Sequence, residues 1–161
     1  MKIAVISDIH DNIARLNEAL SIATKENIEA CFCCGDISSL ETVQIISGAF
    51  KRVFLVLGNM DFALKNQLEL FPENITASAD ILEFKLGKLK IALTHYDYKA
   101  KELAKSELYD FIFYGHTHTP WEKKIKKTTI LNPGEITGQF GRASFAIFDT
   151  KGKKAKLILI D

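Results

Sequence analysis

Four histidines occur in this chain, and each follows closely on an apolar run. Ile3-Ala4-Val5-Ile6 leads into Ser7-Asp8-Ile9-His10, and Phe113-Tyr114 leads into Gly115-His116-Thr117-His118. Leu93 is followed by Thr94-His95, and two further runs end in Gly35-Asp36 and Gly58-Asn59-Met60-Asp61. Imidazole nitrogens and carboxylate oxygens suit Mn²⁺, Fe²⁺, Ni²⁺ or Zn²⁺. Asp8, His10, Asp36, Asn59, His95, His116 and His118 are too many donors for one tetrahedral site. They suit two six-coordinate sites that share a carboxylate and keep positions open for water. Two ions about 3.5–4 Å apart can hold a bridging hydroxide and clamp a phosphoryl group for in-line attack. The charges agree: two divalent ions outweigh Asp8 and Asp36, so the centre stays positive and attracts a phosphate ester.

Each motif alone is weak, because D-x-H and H-x-H are short and Gly-Asp is mainly a turn signal. The collection carries the weight. Histidines with purely structural roles would scatter over surface and core positions.

The elements that must position these residues alternate. Ile3 to Ile6 reads as a strand buried on both faces. An amphipathic helix over about 12–26 follows, with Ile13, Leu16, Ala19, Leu20 and Ala23 on one stripe and Asp11 or Asn12 as its cap. Strands at 30–34 and 53–57 flank a helix at about 40–48, and a short helix is expected at about 62–68. This βαβαβ order predicts a largely parallel sheet with right-handed crossovers, and ligands bind beyond the carboxyl ends of such strands. The second half is richer in strands, at 81–86, 89–94, 110–114, 128–131, 144–148 and 155–160, with a helix at 99–107 and a hairpin turn at Gly87-Lys88.

Length and composition set the class. The 161 residues are expected to form one domain, 1–161. With 47% hydrophobic and 25% charged residues the chain is not disordered. Lys+Arg at 21 nearly balances Asp+Glu at 20, so neither a stable nucleic-acid complex nor membrane binding is expected. Lysines at 123, 124, 126 and 127, and at 151, 153, 154 and 156, fall beside edge strands, where they discourage edge pairing. Cys31, Cys33 and Cys34 crowd one apolar segment and read as buried free thiols of a reducing cytoplasm. A signal peptide is not expected.

The ordered series D-x-H, G-D, G-N-x-D, T-H, G-H-T-H and then Asn132-Pro133-Gly134 resembles the calcineurin-like metallophosphoesterase superfamily over nearly the whole chain. In size it is similar to the small bacterial and archaeal phosphodiesterases of that group. The resemblance implies an α/β fold of two mixed β-sheets packed face to face as a sandwich, with helices outside, in four αββα layers. It implies a dinuclear centre in which Asp8, His10, Asp36 and His118 hold the first ion and Asp36, Asn59, His95 and His116 the second, with Asp36 bridging. Asp36, Asn59 and His95 are the expected catalytic residues. The cofactor is two divalent ions, Mn²⁺ first and Ni²⁺, Fe²⁺ or Zn²⁺ as alternatives, and the substrate a small phosphate ester. A homo-oligomer is compatible with the sequence. The alternative is a non-catalytic interaction scaffold on the same fold, similar to the vacuolar-sorting subunit of retromer. An exonuclease ranks third, because the short chain has no appended DNA-binding domain.

Three positions depart from the family pattern. Met60 stands where many members carry a proton-donating histidine, and Tyr96 replaces a glycine, with Asp97 and Tyr98 following. Glu135 replaces a small residue and is expected to face solvent. Asp61 is expected to cap the helix after it, Thr117 and Thr119 to hold loops by hydrogen bonds, and Trp121, Phe111 and Phe113 to pack in the core or its flank.

Overall fold

Period-two side-chain alternation sorts each buried strand between two layers. In the first strand, β1 (Lys2–Ile6), Ile3 and Val5 face one apolar cluster while Ala4 and Ile6 face another. The computed structural model describes residues 1–160. After β1 come α1 (Ile13–Lys25), β2 (Ala30–Cys33), α2 (Leu40–Ala49), β3 (Arg52–Val56) and β4 (Ile75–Ser78). The hairpin of β5 (Ile81–Leu86) and β6 (Leu89–Thr94) leads to α3 (Asp97–Lys105) and β7 (Phe111–Phe113). The chain ends in β8 (Trp121–Ile125), β9 (Thr128–Asn132), β10 (Ser144–Asp149) and β11 (Lys154–Leu159).

These strands form two mixed sheets. One runs β11-β10-β1-β2-β3-β4, with β1 to β4 parallel and β10 and β11 antiparallel. The other runs β5-β6-β7-β9-β8, with β6, β7 and β9 parallel and an antiparallel hairpin at each edge. Between the sheets lies an aromatic core. Phe32 is fully buried, and its ring meets those of Phe54, Phe84 and Phe113 at centroid distances of 5.7, 5.4 and 5.2 Å. Helices α1 and α2 cover the outer face of the first sheet with Leu16, Ala19, Leu20, Val43 and Ile46. Helix α3 covers the second, where Ala100 and Ala104 pack near the small Ala92. The result is the expected αββα sandwich.

Register decides where the chemistry lands. Ile6 pairs with Cys33, and Cys33 with Leu55; in the other sheet Leu93 pairs with Phe113 and Phe113 with Leu131. The parallel strands therefore end level, and five loops gather beyond those ends.

Several details differ from the sequence reading. Two strands, β4 and β8, carry no clear apolar alternation and are visible only in the structure. Strand β8 is an exposed edge, so Trp121 is 57% exposed and not core, whereas Phe111 and Phe113 are buried. Residues 62–70 form two 3₁₀ turns rather than one helix, and α3 begins two residues earlier than expected. The three cysteines are buried and free, and burial pushes their thiol pKa values up. No helix among the described residues is long and apolar enough to cross a membrane.

Candidate metal centre

The loops beyond the strand ends are bound to one another before any side chain is considered. Asp8 N donates to Gly35 O at 3.0 Å, while Ile9 N and His10 N both donate to Asp36 O. Within the second sheet, Gly115 N donates to His95 O at 3.0 Å. Clearance between the loops requires glycine at two points: a Cβ at Gly58 would overlap the Asp36 carboxylate, and one at Gly115 would overlap the Ser7 hydroxyl. Asp8, His10, Asp36, His116 and His118 all adopt positive φ, between 46° and 67°. Left-handed backbone costs a non-glycine residue roughly 1–2 kcal/mol, so the strands must hold these turns in place.

This backbone brings all seven expected residues together. Asp8, Asp36 and His95 are buried, His10 and His118 half-buried, and Asn59 and His116 exposed. Ligand atoms of Asp8, His10 and His118 lie within 4.8 Å of one another, as do those of Asp8, Asp36 and His95. Asp36 Oδ2 lies 3.4 Å from His95 Nε2 and 3.7 Å from His10 Nε2, so it faces histidines from both sides of the cluster. Asn59 Oδ1 lies 3.1 Å from His95 Nε2 and 3.1 Å from His116 Nδ1. His118 Nε2 lies 3.5 Å from Asp8 Oδ1.

The donor chemistry fits divalent metal. His10 Nε2 is buried with no hydrogen-bond partner among the described residues, and it points toward Asp36. Such an orphaned nitrogen is costly unless a cation or another donor reaches it. His95 Nδ1 lies 2.8 Å from the Cys34 carbonyl oxygen, which only accepts; Nδ1 therefore carries the proton, and Nε2 faces the cluster. His118 has the same arrangement, with Nδ1 2.8 Å from Glu135 Oε2 and Nε2 facing Asp8. Metal-binding histidines are generally oriented in this way through the other ring nitrogen.

The titration directions express the same crowding. Burial pushes the Asp8 carboxyl above its ordinary range, with a smaller push from Asp36, against His95, Ser7 and His118. Burial acts the same way on Asp36, but there the hydrogen bond and charge of His95, with the Met60 N–H, prevail and hold the pKa low. For His95, burial lowers the pKa, and the Asp36 hydrogen bond, together with the charges of Asp36 and Asp8, outweighs it and raises the value.

Two acids take positions that the sequence did not indicate. Asp61 makes no cap hydrogen bond to the turn after it. It is fully buried, and its carboxylate accepts from Ile37 N, Ser38 N and Gly58 N, each at 2.7 Å. It therefore clamps the Asp36 loop to the Asn59 loop. Glu135 is likewise buried rather than solvent-facing. Besides His118 it accepts from Phe140 N at 2.7 Å, Gly141 N at 2.8 Å and the Thr137 hydroxyl. Burial raises the Glu135 pKa, but the hydrogen bonds from Thr137, His118, Phe140 and Gly141 prevail and hold it low. The 137–141 loop folds back over its side chain. The only local hint in the sequence is the pair Gly138 and Gly141, which bracket that turn.

Other loop residues act as expected or exchange roles. Asn12 Oδ1 caps α1 by accepting from Arg15 N, whereas Asp11 accepts from Ser39 and Thr42 hydroxyls and ties the β1 loop to α2. Asn132 Nδ2 donates to Gly115 O and to the Thr117 hydroxyl, and Thr119 donates to Thr117 O. Tyr96 borders the cluster, with its ring centroid 5.1 Å from His95 and 5.1 Å from His116.

Residues 1–153 match the calcineurin-like phosphoesterase superfamily domain. The chain belongs to that superfamily. Phosphodiesterase MJ0936 of Methanocaldococcus jannaschii is 32% identical over the full length of both chains. A solved archaeal phosphodiesterase superposes with a TM-score of 0.87 at 30% identity, covering 99% of each chain. At lower identity the likeness is one of fold alone: the Escherichia coli phosphoesterase YfcE gives a TM-score of 0.71 at 21% identity, covering all of both chains. A Vps29 variant from Entamoeba histolytica gives 0.69 at 19%, again over all of both chains.

Two predictions follow from the site geometry. Replacing Asp61 by Ala leaves three backbone N–H donors without their acceptor, which should cost at least about 3 kcal/mol in denaturant unfolding. A loss below about 1 kcal/mol would contradict the clamp. In metal-free protein the folded state holds the His95 proton more tightly than the unfolded chain does. That stabilisation is complete below the unfolded histidine pKa of about 6.5 and is lost as pH rises through the raised folded value. Unfolding free energies of chelated wild type and His95→Gln should therefore converge with rising pH across that interval. A constant difference would contradict the pair.

Proposed function

We propose that the chain is a dinuclear metal-dependent phosphodiesterase acting on a small phosphate ester. The observation that carries this reading is the buried carboxylate pair, Asp8 and Asp36, ringed by imidazole nitrogens, with the opposite edges of His95 and His118 already bonded to protein. Asp8, His10, Asp36 and His118 would hold one ion, and Asp36, Asn59, His95 and His116 the other, with Mn²⁺ the first expectation. When bound, the ions supply charge neutralisation at the phosphoryl oxygens and an activated water for in-line attack. The protein's own share is to keep the imidazoles aimed, to set the Asp36 carboxylate between them, and to present the exposed side chains of Asn59 and His116 toward substrate. The full-length similarity to a phosphodiesterase supports the same activity. A cytoplasmic setting agrees with the buried free thiols.

The scaffold alternative rests on fold likeness to Vps29 at under 25% identity. Every expected ligand position here is filled by a residue able to bind metal, which favours catalysis.

General-acid assistance is where this chain departs from many relatives. The Met60 side chain is 56% exposed and carries no proton to donate. Asp61 is buried and committed to three N–H groups. The Lys101 ammonium, 2.6 Å from Asp97, holds that carboxyl below its ordinary range. The leaving oxygen must therefore depart with little help from these side chains, and a positioned acid is typically worth about 10²–10⁴-fold. In the metal-loaded enzyme, kcat/KM should fall steeply with rising leaving-group pKa across aryl and alkyl phosphodiesters. Met60→His should rescue the alkyl esters selectively at equal metal occupancy. A flat dependence in wild type would show that another acid protonates the leaving group, and no hydrolysis of activated aryl diesters would overturn the proposed activity.

A further inference from the structure

The loops that carry the histidines also carry aromatic rings left open to solvent. At one end of the cluster the Tyr96 ring packs edge-on against His95 and His116. Tyr98 lies beyond it, with ring centroids 5.5 Å apart, and is 57% exposed. The Lys99 ammonium sits 5.4 Å from the Tyr96 centroid and 6.0 Å from that of Tyr98, and its ion pair with Asp80 anchors it there. The two rings are thus braced on one side by a fixed cation. At the other end Phe140 stands edge-on to His118, with centroids 4.8 Å apart, and is 74% exposed. Its backbone N–H is bonded to the buried Glu135, which anchors the residue beside His118.

Exposed aromatic rings forgo the free energy of burial, about 25 cal/mol per Å² of apolar surface. Here Tyr98 is held through the half-buried Tyr96, which meets His116, and Phe140 meets His118 directly; these two histidines are assigned to different ions. A phosphodiester has two organic arms. With phosphorus at the carboxylate–imidazole centre, one arm reaches toward Tyr96 and Tyr98 and the other toward Phe140. Aromatic faces bind planar rings by offset or edge-on stacking and are tolerant of the ring's identity.

We propose that Tyr96, Tyr98 and Phe140 are specificity-determining residues that select phosphodiesters bearing an aryl or nucleobase ring over small alkyl diesters. This rests on the phosphodiesterase reading above and names its substrate class.

The test holds the leaving group constant as nitrophenolate and varies the other arm among methyl, phenyl and 5′-thymidyl. Wild type and the variants Tyr98→Ala and Tyr98→Phe are compared at matched metal occupancy. Wild type should favour the ring-bearing esters in kcat/KM. Tyr98→Ala should reduce that preference on the order of ten-fold, the size expected for loss of one stacking face, while Tyr98→Phe keeps it. Phenylphosphonate and methylphosphonate, whose P–C bond is not hydrolysed, serve as non-turnover probes, and the ratio of their calorimetric dissociation constants should shift in the same way. Either order of phenyl and thymidyl supports stacking and distinguishes an aryl arm from a nucleoside arm. An unchanged ratio in Tyr98→Ala, in both rates and dissociation constants, overturns the proposal. Absence of turnover for every ester in wild type would count against the phosphodiesterase reading instead, and the calorimetric ratio would still decide the aromatic selection.

Discussion

Two carboxylates buried within a few ångströms of each other are the constraint around which this molecule is organised. Asp8 and Asp36 share one cluster with His95, and neither has the solvent that ordinarily stabilises a carboxylate. Charge in such a place is tolerated only with opposite charge and hydrogen bonds nearby. The protein provides a ring of imidazoles; burial pushes the Asp8 carboxyl up, while His95 and the Met60 N–H hold that of Asp36 down. A divalent cation among these groups would supply the positive charge that burial denies them, so the electrostatics and the family membership point the same way.

Holding such a cluster demands rigidity from its surroundings. Five of the seven expected residues sit in left-handed backbone, a conformation with no intrinsic advantage for Asp or His. The turns persist because they leave level strand ends and are cross-linked by main-chain hydrogen bonds. Two buried acids complete the frame without facing the cluster as His10 or Asp36 do. Asp61 joins two ligand loops, and Glu135 ties His118 to the loop carrying Phe140. The aromatic sandwich beneath, centred on Phe32, is the platform from which both sheets deliver their ends.

The parallel core and the gathering of the seven expected residues at the strand ends were legible because both depend on local patterns. Continuous apolar runs such as Ile3 to Ile6 mark buried strands, and a polar residue immediately after such a run is directed to the sheet edge. What was not legible depends on returns of the chain. Glu135 follows a Pro-Gly turn and looks solvent-facing until Phe140 and Gly141 fold back onto it. Asp61 looks like a helix cap because two of the N–H groups that donate to it, those of Ile37 and Ser38, are distant in sequence. Strands β4 and β8 lie at sheet edges, where one row of backbone groups needs no partner and the side chains need not alternate. Trp121 misled for the same reason, since an aromatic residue in an unrecognised edge strand reads as core.

The central claim is that Asp36 joins two metal ions into one centre, and metal stoichiometry tests it most directly. Protein stripped by chelation, incubated with excess Mn²⁺ and freed of unbound ion should carry two metals per chain. Anomalous scattering should place them on either side of the Asp36 carboxylate, and Asp36→Ala should fall below one. Fewer than one metal in wild type, or equal occupancy in Asp36→Ala and wild type, would contradict the account.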